Sequence, residues 1–106
     1  MIRATIWIFL IIFNGVGTQA QNCASLFITA GMNASNVGKY KQAVKDFTIA
    51  LECDSSQERA YLGRGVAEAF LRENQAAIQD YDKAIALNPN DATAYFDRGI
   101  SSMSFS

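Results

Sequence analysis

No histidine occurs among the 106 residues of this chain. That absence removes a Ser-His-Asp triad, a Cys-His pair and any histidine-containing zinc site. Cysteine is nearly as scarce, and Cys23 and Cys53, far apart in sequence, cannot supply a four-thiolate metal site. An excess of one charge is missing too: nine basic and ten acidic residues give a formal net charge of −1, with no block of like sign. A nucleic-acid binder shows a basic patch or stripe, and none is visible. These absences point away from an enzyme, a cofactor, a metal centre and a nucleic-acid partner.

Unbroken apolar runs are confined to the N-terminus. Arg3 gives a short positive start, Ile6 to Phe13 is continuously apolar, and Asn14 to Ala20 brings small and polar residues. That order describes a secretory signal peptide over residues 1–20, with cleavage expected after Ala20 and a mature chain from about Gln21. The run is far shorter than the roughly 20 apolar residues that cross a bilayer. No stable membrane span is therefore expected after cleavage, and the expected location is secreted or periplasmic. An uncleaved anchor, a buried core helix and a lipid anchor on Cys23 are the competing readings. Asn22 fits poorly to the small residue that precedes a lipid-modified cysteine.

What the chain does have is a period. Phe27, Tyr61 and Tyr95 are spaced by 34 residues, as are Gly31, Gly65 and Gly99. Ala43 matches Ala77, Asp46 matches Asp80, Phe47 matches Tyr81 and Ala50 matches Ala84. Ala60-Tyr61 with Arg64-Gly65 returns letter for letter as Ala94-Tyr95 with Arg98-Gly99. Within each period two amphipathic helical runs are separated by a polar step, Arg72–Gln75 in the middle copy. Leu26, Phe27, Ala30, Ala34 and Val37 make the expected apolar stripe of the first helix. Gly38 is its expected end, because glycine takes the left-handed conformation there at little cost. Ser55-x-x-Glu58 has the capping-box pattern for the helix that follows. Pro89, the single proline, ends the fourth, and Asn88 or Asn90 is expected to cap the fifth. A glycine in mid-helix at a repeated phase implies close approach of a facing helix. Arg64 and Glu68, four apart, are expected to pair on a solvated edge. Asp80-Tyr81-Asp82 reads as structural.

A two-helix unit at this period is the mark of a helical repeat array. The chain resembles the tetratricopeptide repeat (TPR) family: Tyr61 stands at the family's tryptophan, Arg64-Gly65 at its leucine-glycine, Ala77 and Tyr81 at its alanine and aromatic, and Pro89 at its proline. Glu68 departs from the family's tyrosine, and Phe70 or neighbouring side chains are the candidates to fill that volume. The resemblance implies an all-α solenoid of about two and a half repeats, with boundaries near 24–56, 57–90 and 91–106. It implies a non-catalytic scaffold for a protein or peptide partner. The alternative is the N-terminal docking arm of a larger protein, an enzyme among the options, continuing past residue 106.

In that family the first helices of successive repeats line a concave groove. The corresponding candidates are Ile28, Met32, Arg59, Leu62, Val66, Phe96 and Ile100. The lysine, asparagine and arginine with which some members grip a peptide carboxylate are replaced by Ile28, Met32, Leu62 and Val66, so that clamp is absent. An apolar groove suits an apolar or amphipathic segment, whether from a partner or, by self-association, a second copy. Cys23 opens one helix and Cys53 closes its antiparallel partner, a placement that permits a disulfide in an oxidising compartment. The competing reading leaves Cys53 as a small core residue and Cys23 as a free thiol.

Overall fold

The computed structural model describes residues 2–103, with side chains from residue 19 onward. Most of the expected leader and Phe105 therefore lie outside the described side chains. The described residues form five helices: α1 (Ile2–Asn36), α2 (Tyr40–Cys53), α3 (Glu58–Phe70), α4 (Asn74–Leu87) and α5 (Ala92–Met103). Each helix packs on the next, and α1 also touches α3, as α3 touches α5. The odd-numbered helices thus line one face of a stack of hairpins, which is a short helical solenoid.

Turn chemistry sets the hairpins. Gly38, at φ +80°, closes α1 while Lys39 N–H donates to the Ala34 carbonyl (2.8 Å) and Gly38 N–H to that of Ser35 (3.0 Å). One period on, Arg72 at φ 64° does the same for α3, with Glu73 N–H donating to Glu68 (2.9 Å) and Arg72 N–H to Ala69 (3.0 Å). The motif survives although arginine carries a side-chain penalty that glycine avoids.

Helix starts differ from the expectation. The Ser55–Glu58 capping box does not form, and α3 begins after Gln57 with no side-chain cap. Asp54 instead accepts from the backbone N–H (3.0 Å) and hydroxyl (2.6 Å) of Ser56 and from Gln57 Nε2 (2.9 Å). Those donors hold its carboxyl below the ordinary value. Asp91, rather than Asn88 or Asn90, caps α5 by accepting from the N–H groups of Thr93 (3.0 Å) and Ala94 (3.3 Å). An ionised carboxylate next to the positive helix end outcompetes the neighbouring amides.

Two aromatic rings organise the packing. Phe47 and Tyr81 are the largest fully enclosed side chains, ringed by Ala43, Ala50, Ala77 and Ala84, all buried. A methyl built on Gly31 would come within 2.8 Å of the Phe47 ring, and one on Gly65 within 2.7 Å of Tyr81. Each ring lies against a glycine of the facing helix. Gly63 also lies against Phe47, too close for any side chain. Gly99 breaks the pattern, because nothing comes within 4 Å of the same point.

The inward stripe of α1 is rotated from the expected one. Ala24, Ile28 and Ala34 are buried, whereas Leu26 and Val37 stand largely in solvent. Close approach at Gly31 turns its face of α1 inward, and Leu26 and Val37 fall on the flank. Cys23 and Cys53 are joined as a disulfide with Cα atoms 5.9 Å apart, tying α1 to the end of α2.

Candidate partner-binding groove

Two hollows indent the face lined by α1, α3 and α5. The first, about 260 Å³, has Phe47 and Gly63 at its floor, with Met32, Arg59, Leu62 and Val66 around it. The second, about 270 Å³, lies between α3, α4 and α5, with Tyr81, Phe70, Asp97 and Ile100 among its walls. Val66 belongs to both and forms the ridge between them. The two hollows therefore make one interrupted apolar groove with a cation, Arg59, at one end and a carboxyl, Asp97, at the other.

Of the candidate groove residues, the structure brings Met32, Arg59, Leu62, Val66 and Ile100 to this groove. Two fall elsewhere. Ile28 is 5% exposed and belongs to the core cluster with Ala43 and Phe47, because the same face of α1 that meets α2 carries it inward. Phe96 is 69% exposed and lines neither hollow, projecting from the outer side of α5. Asp97 was missed. It shares a phase with Gly63, and a position that alternates between acid and glycine carries no recurrent signal. Arg59 donates to the thioether of Met32 at 3.3 Å, a weak acceptor.

Behind the groove lies a polar seam that the sequence misassigns. Arg64 does not pair with Glu68; it grips Asp80 of α4 with Nε and Nη2, both at 2.8 Å, and reaches the Thr48 hydroxyl at 3.2 Å. Both oxygens of the Asp80 carboxylate accept from the guanidinium's planar fork, a two-bond geometry that outweighs a single contact along the helix. Glu68 is instead buried, and its carboxyl is pushed up to about 9 by burial and then by its hydrogen bond to Asp80 and that residue's charge, with Arg64 opposing. It is protonated at neutral pH and donates to Asp80. Phe70 does not take the missing tyrosine's place: it is mostly exposed and stacks on Tyr40, ring centroids 4.5 Å apart. One repeat on, Arg98 pairs with Asp82 at 2.8 Å. Glu58, where α3 begins, is raised to about 7 by burial and then by its hydrogen bond to Asp91. Among the described residues no group of three or more cysteines or acids could hold a metal ion. No helix among them is long and apolar enough to cross a membrane.

Comparison with known proteins agrees with this geometry. The pattern of the TPR repeat family matches residues 73–101, covering α4 and α5. The structure superposes on the TPR domain of OM64 from Arabidopsis with a TM-score of 0.79 over 81% of this chain and 71% of that one, at 24% identity. This is a tetratricopeptide repeat fold. The second TPR domain of human RPAP3, solved in complex with an HSP70 peptide, is 30% identical over 74% of this chain and 66% of that one, with a TM-score of 0.73. Tetratricopeptide repeat protein 6 of Homo sapiens is 30% identical over 68% of this chain. The chain spans only a fifth (20%) of that protein's length. In TPR terms, α1/α2 and α3/α4 are two hairpins, and α5 is the opening helix of a third.

Proposed function

We propose that this chain is a non-catalytic protein-interaction scaffold that holds an apolar or amphipathic segment of a partner in its groove. The observation that carries the reading is the run of two apolar hollows joined at Val66. A groove of this kind offers side-chain pockets to alternate anchors of a bound segment. TPR neighbours that hold HSP70 and HSP90 peptides support the general mode. The ligand differs, because Met32, Leu62 and Val66 offer a peptide carboxylate no clamp.

The location proposed is secreted or periplasmic. It is supported by the leader-like residues 1–20 and by the Cys23–Cys53 pairing, since disulfides persist in oxidising compartments. A second reading, a docking arm within a larger protein, draws on the human relative, of which the match spans 20%.

The test is a substitution on the ridge. Val66→Glu places a charge in both hollows at once and is expected to weaken binding of an apolar helical peptide at least about tenfold, leaving the thermal midpoint nearly unchanged. Unchanged affinity would remove the groove from the function.

A further inference from the structure

The hollow between α3, α4 and α5 has a composition that the groove as a whole does not. Its floor is Tyr81, one wall is the largely exposed Phe70, and Asp97 also lines it. None of its lining residues is basic. The neighbouring Arg98 is turned away to Asp82 at 2.8 Å and stacks over Tyr95 with its guanidinium 5.3 Å from the ring centre. Among the described residues Asp97 thus has no ion-pair partner. Burial first, and then the negative charge of Asp91, raises its carboxyl above the ordinary value.

We propose that this hollow is a receptor for one basic side chain, lysine or arginine, projecting from the partner segment held in the groove. The inference rests on the groove reading and adds a specificity to it. An ammonium or guanidinium entering here meets the Asp97 carboxylate on one side and the exposed Phe70 ring on another, which attract a cation through a charge pair and a ring quadrupole. The stem of a lysine or arginine is apolar and covers Val66 and Ala69 while its head reaches Asp97. A carboxylate in the same place faces Asp97 and is repelled. The chain is thereby set to take apolar segments carrying a positive charge and to refuse acidic ones at this end.

The test uses the full oxidised chain and three synthetic probes, leucine-alanine helical peptides of about twelve residues with a central lysine, norleucine or glutamate. Affinities are read by calorimetry. The lysine peptide is expected to bind about tenfold tighter than the norleucine peptide, and the glutamate peptide weaker than either. Asp97→Asn is expected to lower lysine-peptide affinity to the norleucine level while norleucine affinity and the thermal midpoint stay put; Asp97→Glu restores part of the preference. Phe70→Leu, at an exposed position, gives a second variant and is expected to reduce the preference by a few fold. Equal affinity of lysine and norleucine peptides for the native chain would overturn the inference and leave the groove standing, as would a preference that survives Asp97→Asn. Binding of none of the three would overturn both.

Discussion

At the scale of single residues, the sharpest effects come from atoms held in unfavourable states. Arg72 sits at φ 64° in the place where the preceding hairpin has Gly38. A side chain there costs about 1–2 kcal/mol, part of which glycine returns through its freer unfolded chain. Arg72→Gly is therefore expected to stabilise the fold by roughly 1 kcal/mol, seen as a rise of a few degrees in thermal midpoint. Glu68 is the other case. Its carboxyl titrates at about 9 in the fold against 4.5 for the free group. Between those values the folded chain holds a proton that the unfolded chain has released, so stability falls as pH rises toward 9 and levels beyond it. Glu58 contributes in the same direction but only up to about 7. The decline from pH 7 to 9 is thus Glu68's, and a melting series over that interval should flatten in Glu68→Gln. An undiminished slope in the variant would place the proton elsewhere.

Among the helices, the contrast between Gly65 and Gly99 isolates what packing requires. The two share a phase and a preceding arginine, yet a methyl meets Tyr81 at 2.7 Å on one and open space on the other. Gly65→Ala should destabilise by about 1–3 kcal/mol through overpacking. Gly99→Ala should stabilise α5 by up to about 1 kcal/mol, as expected for alanine in an open helix. Chemical denaturation of the two variants side by side would separate them by sign. Periodicity exposed both glycines but not this difference, because sequence phase reports the position and not whether a facing ring is present. Gly63 shows the converse. It is pressed against Phe47 as closely as any residue, but Thr29 and Asp97 at its phase hide it from a search for repeats. Arg64 was misassigned for a related reason, since four-residue spacing proposes a partner on its own helix, and only the hairpin brings Asp80 within 2.8 Å.

For the molecule as a whole, the hairpin stack was legible because its determinants are local and repeated: alanines and one large ring on each second helix, a glycine opposite, a left-handed residue at the turn. The groove was legible in part. Met32, Leu62 and Val66 follow from their phase, while Ile28 turns inward and Asp97 enters through a contact that α4 and α5 make together. Reduction of the Cys23–Cys53 bond is expected to lower unfolding free energy by roughly 3–4 kcal/mol, the chain-entropy value for a loop of this size. Urea titrations with and without a reductant check it.

The same bond gives the chain a direction under load. A force drawing its two termini apart can peel α5 and open the second hairpin, but the bridged segment, a sequence separation of 30, cannot lengthen while the bond is intact. Roughly 100 Å of contour, at about 3.4 Å per residue, is withheld from extension. The first hairpin is a fixed anchorage, and past Cys53 the chain yields only through α3, α4 and α5, the helices that wall the groove's second hollow.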